Sequence, residues 1–90
     1  MKLIIQIPCY NEEKSLPITL KDLPKKVDGF DKVEWLIIND GSQDNTTEVA
    51  KAHGVNHVVH FNKNKGLAEV FIAGLEACLN LGADVIYRCR

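Results

Sequence analysis

Glu34-Trp35-Leu36-Ile37-Ile38-Asn39-Asp40-Gly41-Ser42 is an apolar run that breaks off in a polar turn. Such a run, with no polar alternation, suits a strand covered on both faces, which is the situation of a strand inside a parallel sheet. Residues 34–39 are therefore a predicted strand, and Asp40-Gly41-Ser42 is turn chemistry at its carboxyl end. A helix is expected over about 45–53, with Asp44 capping its free N–H groups and Gly54 stopping it. Another strand follows over 56–61. Strand, helix, strand is the β-α-β unit, and it sets the class as α/β.

The same alternation extends in both directions. Upstream, 2–7 reads as a buried strand ended by Pro8, which has no N–H for a central ladder. A helix from 13 to about 23 follows, with Leu16, Leu20, Leu23 and Val27 along one face. Pro17 fits its first turn, and Pro24 marks its end. Downstream, 62–66 is a polar loop, and 67–81 is a helix with two apolar stripes. Leu67, Val70, Phe71, Gly74, Cys78 and Leu81 form one stripe, and Ile72, Leu75 and Leu79 the other, so this helix is expected to be the most buried. Gly82 ends it, and 83–87 begins a fourth strand. The prediction is one continuous unit, a parallel sheet of about four strands with three helices.

Ninety residues with 46% hydrophobic and 26% charged content describe one small globular unit rather than a disordered segment. The formal charge of -1 leaves no basic stripe for nucleic acid. Cys9, Cys78 and Cys89 are odd in number and widely spaced, with no C-x-x-C pair to suggest zinc or a redox motif, which fits a reducing cytoplasm. The apolar start at 1–7 is interrupted by Gln6 and Pro8, far short of a membrane span.

Ligands of open parallel sheets sit beyond the carboxyl ends of the strands, where the strand order reverses. That rule selects Pro8-Cys9-Tyr10-Asn11-Glu12, Asn39-Asp40-Gly41-Ser42 and the loop 62–66. An Asp just past a strand can accept from a base N–H or from ribose hydroxyls, a task that suits Asp40. Asp40 and Ser42 equally suit turn formation, and Asn11 and Glu12 suit the start of a helix. Lys63 and Lys65 flank a possible diphosphate position or are simply solvated. His53, His57 and His60 share no metal-ligand spacing. Cys9 has no neighbouring base to make it a nucleophile. The first loop lacks both Gly-x-Gly-x-x-Gly and Gly-Lys-Ser/Thr, which rules out a dinucleotide fingerprint and a P-loop.

Three segments in order, Ile7-Pro8-Cys9-Tyr10-Asn11-Glu12-Glu13, Ile38-Asn39-Asp40-Gly41-Ser42-Gln43-Asp44-Asn45-Thr46 and Asn64-Lys65-Gly66-Leu67-Ala68, resemble family-two glycosyltransferases of the GT-A fold. Within that family the chain looks most like polyprenyl-phosphate sugar transferases of the dolichyl-phosphate mannosyltransferase type. The resemblance implies a Rossmann-like GT-A half-domain with strand order 3-2-1-4. It implies that Pro8, Tyr10, Asn11 and Glu12 contact the nucleoside of a UDP- or GDP-sugar donor, with Ile38 behind it and Asp40 accepting from the base. Lys65 is the candidate diphosphate contact. The implied reaction is inverting transfer of a sugar to a hydroxyl or a lipid phosphate, on the cytoplasmic side and, in a complete protein, at a membrane face.

The departure from the family pattern is at the end. Where the resemblance implies an Asp-x-Asp motif for Mg²⁺ or Mn²⁺, the chain reads Tyr87-Arg88-Cys89-Arg90. The expectation is thus a truncated donor half spanning 1–90, with no catalytic and no metal-binding residue of its own. The alternative is a nucleotide-binding module without catalysis, or an interaction fragment. An edge strand at 83–87 also predicts self-association, blunted by Arg88 and Arg90.

Overall fold

The computed structural model describes residues 1–89. Strands and helices alternate as β1 (Lys2–Cys9), α1 (Leu16–Asp22), β2 (Lys32–Asp40), α2 (Thr46–Ala52), β3 (His57–Phe61), α3 (Leu67–Asn80) and β4 (Val85–Arg88). Every strand pair is parallel, and the sheet order is β3-β2-β1-β4. The chain therefore steps outward from β1 to β3 and crosses back by α3 to the other side of β1. The reversal between β1 and β4 is the switch point that the sequence predicts.

Side-chain alternation divides the core. Leu3, Ile5, Ile7 and Cys9 of β1, with Trp35 and Ile37 of β2, pack against Leu16, Leu20 and Ala50 of α1 and α2. Ile4, Leu36 and Ile38 point the other way, onto Val70 and Cys78 of α3. Covering both faces is what permits the uninterrupted apolar runs in β1 and β2.

Several boundaries differ from the sequence reading, each for a local reason. β1 does not end at Pro8 but runs through Cys9, with Pro8 opposite Ile38 and Cys9 opposite Asn39. The Cys89 N–H donates to the Gln6 carbonyl at 2.8 Å, so even-numbered residues of β1 turn their backbone polar groups toward β4. The missing N–H of Pro8 faces that side too, beyond Gln6 and Arg88, the last pair of the β1–β4 ladder. α1 starts at Leu16, three residues later than expected, because Glu12 to Ser15 form turns closed by Leu16 N–H on the Glu12 carbonyl at 2.9 Å. It stops at Asp22, since Leu23, which precedes Pro24, is extended at ψ 139°.

α3 is not buried on two stripes. Val70, Gly74 and Cys78 are buried, whereas Leu67, Ile72 and Leu79 are 65%, 55% and 65% exposed. One sheet covers one helical face, and no described element packs on the other. β4 begins at Val85 because Asp84 is tied to Lys2, its N–H on the Lys2 carbonyl at 2.9 Å and its Oδ2 accepting the Lys2 N–H at 2.7 Å. The Lys2 Nζ also donates to the Leu81 carbonyl at 2.8 Å, closing the end of α3. Arg90, expected to blunt the edge, lies outside the described residues.

α3 comes close to the sheet at Gly74. A Cβ there would lie 2.7 Å from Ile38 Cδ1 and would collide with the Gln6 amide. Gln6 is 1% exposed, and neither amide atom has a hydrogen-bond partner among the described residues. Gly74→Ala is thus expected to cost about 1–3 kcal/mol, the usual range for overpacking. In a Gln6→Ala background the cost should shrink, because the amide that meets the new methyl is gone. Urea unfolding of the double-mutant cycle checks this; equal costs in both backgrounds would mean that Ile38 alone sets the approach.

Candidate functional site

The polar ends of β1 and β2 are laced together. Asn11 takes a left-handed conformation (φ 50°) and turns its backbone N–H onto Ser42 Oγ at 2.9 Å. Its own Oδ1 accepts the Gln43 N–H at 2.8 Å. The next two N–H groups follow suit, Glu12 onto Thr46 Oγ1 at 3.0 Å and Glu13 onto Asp44 Oδ2 at 3.3 Å. Thr46, fully buried, donates its hydroxyl to Asp44 Oδ1, which also accepts the Thr46 N–H at 3.0 Å. The sequence predicts Asp44 as the cap of this helix; the N-cap is instead Asn45, without a side-chain cap bond, and Asp44 reaches the first helical N–H from one residue before it. The Thr46 hydroxyl is the main reason that the Asp44 carboxyl is held below the usual range, against some desolvation. Beneath the loop, Asn39 Oδ1 accepts the Ser42 N–H at 3.0 Å, and its Nδ2 donates to Thr47 Oγ1 at 2.6 Å.

Asp40 works toward the opposite side. Its Oδ1 accepts the Lys65 N–H at 2.6 Å and its Oδ2 the Gly66 N–H at 3.2 Å. The Asn64 amide donates to the Asp40 carbonyl at 3.4 Å. The residue is 7% exposed, and its carboxylate fixes the loop that opens α3. Gly41 is required here twice over: its φ is +75°, and a Cβ would lie 2.5 Å from Asn64 N and 2.6 Å from Lys63 C.

Between these loops lies a cleft of about 320 Å³, lined by Pro8, Cys9, Tyr10, Glu12, Asp40, Asn64, Gly66, Leu67 and Val70. Of the residues chosen from sequence, Pro8, Tyr10, Glu12 and Asp40 meet here. Ile38 does not reach the cleft wall: it is fully buried under α3 and packs in the same cluster as Val70. The Asn11 side chain is spent on Gln43, and Lys65 meets Asp40 through its backbone. Asn64, Leu67 and Val70 were not singled out from sequence. The carboxyl-end rule selects the loop 62–66 and with it the stretch that holds Asn64, and the first turn of α3 brings the other two. Burial pushes the Cys9 thiol far above its ordinary range, with Glu12 adding to the effect, so Cys9 is an inert wall residue. A wider hollow of about 550 Å³ lies among Pro17, Ile18, Leu20, Trp35 and His53, away from the strand ends and without a carboxylate.

A family model, Glycosyl transferase family 2, matches residues 4–81 of this sequence. The chain belongs to that family. Its similarity to an undecaprenyl-phosphate mannosyltransferase of Micrococcus luteus is 34% identity over 96% of this chain and 36% of that protein. With an undecaprenyl-phosphate 4-deoxy-4-formamido-L-arabinose transferase of Shewanella sediminis it is 41% over 80% of this chain and 24% of the relative. The family-two chain thus spans about a third or less of the length of these relatives. Among solved structures, S. aureus TarS 1–349 in complex with UDP superposes with a TM-score of 0.70 at 23% identity, over 99% of this chain and 27% of that one, a likeness of fold.

Family membership and the sequence pattern raise the question of Mg²⁺ or Mn²⁺. The residues of this family-two chain do not fit such an ion. Among the described residues, no three of His, Cys, Asp and Glu converge. Hard cations take about six oxygen ligands or more, whereas the cleft lining offers two carboxylates, Glu12 and Asp40. No helix among the described residues is long and apolar enough to cross a membrane.

Thr46 is the knot between the two loops. Thr46→Val keeps the shape and leaves the part-buried Glu12 N–H without its acceptor, which should cost about 0.5–1.5 kcal/mol in urea unfolding. A depressed carboxyl contributes stability that is present above its unfolded value of about 3.9 and is lost as pH falls through its folded value. The variant removes the hydroxyl that depresses Asp44, so its stability should fall less between neutral and acid pH than that of the parent. Parallel acid profiles would show that Thr46 does not control Asp44.

Proposed function

We propose that this chain binds the nucleotide of a UDP- or GDP-sugar, as the donor half of a family-two glycosyltransferase acting on a polyprenyl-phosphate or hydroxyl acceptor. The observation that carries it is the meeting of Pro8, Tyr10, Glu12 and Asp40 in one cleft at the switch point of a parallel sheet. Tyr10, 49% exposed, offers a ring for the base to stack on. Each Asp40 oxygen uses one acceptor position on the loop and keeps another for a base N–H. Glu12, exposed on the cleft wall, suits ribose hydroxyls. Val70 forms part of the wall, and Ile38 supports it from below. The names of the relatives supply the acceptor class. Among the described residues no carboxylate set converges, which favours binding without turnover, the behaviour of a nucleotide-binding module.

Titration calorimetry with UDP and GDP, with and without magnesium, tests the reading. Weak binding of one nucleotide, unchanged by the metal, is expected. Tyr10→Ala should weaken it by about 1–3 kcal/mol if the ring stacks on the base. No binding of either nucleotide, or binding that needs magnesium, would falsify the assignment.

We also propose that the outer edge of β4 pairs with a second copy. β4 has one described neighbour, β1, and Val85 and Tyr87 are 38% and 59% exposed beside a groove lined by Leu3, Ile5, Val27 and Phe30. Unpaired N–H and C=O groups next to apolar side chains template another strand. Light scattering across a concentration series should show a dimer or soluble oligomer; a monomer throughout would sink the idea.

A further inference from the structure

We propose that Arg88 supplies the positive charge that holds the nucleotide diphosphate in this cleft. The inference rests on the nucleotide reading above and adds to it the group that recognises the phosphates. Glu12 and Asp40 on the cleft wall repel a diphosphate unless a cation stands nearby. The described residues offer no donor set for a divalent ion. Among the described residues, the positive charge on offer to a diphosphate is that of a side chain.

Arg88 is the last residue of β4, and its partner on β1 is Gln6. Pro8, on the cleft wall, is the next residue of β1 on the same face. On the other side, the Arg88 guanidinium stands 4.9 Å from the centroid of the Phe71 ring. Phe71 is one helical turn beyond Leu67, which lines the same cleft. Arg88 is thus held at the switch point, between the strand and the helix that form the cleft walls. Contact with a ring uses none of the guanidinium N–H donors, the groups with which arginine grips phosphate. Among the described residues, no carboxylate lies within ion-pair distance of Arg88. Lys65, by contrast, sits on an exposed loop and is fixed through its backbone N–H.

The test compares uridine with UDP, and guanosine with GDP, by calorimetry on the full chain in EDTA. The parent should prefer the diphosphate to its nucleoside. Arg88→Gln should weaken diphosphate binding by roughly ten- to hundred-fold, the scale of losing a hydrogen bond to a charged group, and leave nucleoside affinity unchanged. Arg88→Lys should keep part of the preference, since charge remains while the planar fork is lost. A preference intact in Arg88→Gln, or one lost in Lys65→Ala instead, overturns the role of Arg88 and leaves the nucleotide reading standing. If nucleosides and diphosphates alike fail to bind the folded parent, the nucleotide reading fails and this assignment falls with it. Thermal melting of each variant, expected to match the parent because Arg88 is exposed, separates loss of binding from loss of fold.

Discussion

The Asp40 carboxylate accepts the Lys65 and Gly66 N–H groups at the point where the chain turns back across the sheet. That pair of bonds decides where α3 begins. The start of α3 in turn sets which residues face the sheet, and with them the contact of Gly74 on Gln6 and Ile38. A buried carboxylate satisfied by two backbone donors is stabilised strongly enough to hold such a junction. Asp40 was open to two readings, one as a turn former and one as a ligand acceptor. Its turn-forming role is explicit in the structure, and its remaining acceptor positions leave the second role available.

The neighbouring Asn39 performs the corresponding task for the other loop. Successive strand residues point to opposite faces, so Asn39 reaches Ser42 and Thr47 while Asp40 reaches Lys65 and Gly66. Two adjacent side chains at one strand end thereby organise the segments leading into two different helices. The first loop is then fastened to the second through Ser42, Asp44 and Thr46.

Much of this was legible in the residues. The alternation of apolar runs with helical patterns gave the α/β class, and with the family resemblance it gave the strand order. The carboxyl-end rule placed Pro8, Tyr10, Glu12 and Asp40 together before any coordinates. What was not legible depended on neighbours. The passage of β1 through Pro8 required knowing that β4 stops pairing at Arg88. The exposure of Leu67, Ile72 and Leu79 required knowing that one sheet, and no second layer, meets α3. Ile38 was readable in part: strand parity alone puts it on the α3 face with Ile4 and Leu36, away from the ligand. Asn64, Leu67 and Val70 became wall residues through the path of the loop from β3, which no periodicity encodes.

The lacing of Asn11, Glu12 and Glu13 to Ser42, Thr46 and Asp44 has a consequence for association thermodynamics. These backbone N–H groups are already satisfied, and Asn11 already occupies its left-handed conformation. The conformational entropy of shaping this wall is therefore lost when the chain folds, not when a molecule arrives. A guest in the cleft needs to immobilise chiefly the exposed side chains of Tyr10 and Glu12. Even the few contacts that a chain of this size can offer then count almost in full toward occupancy.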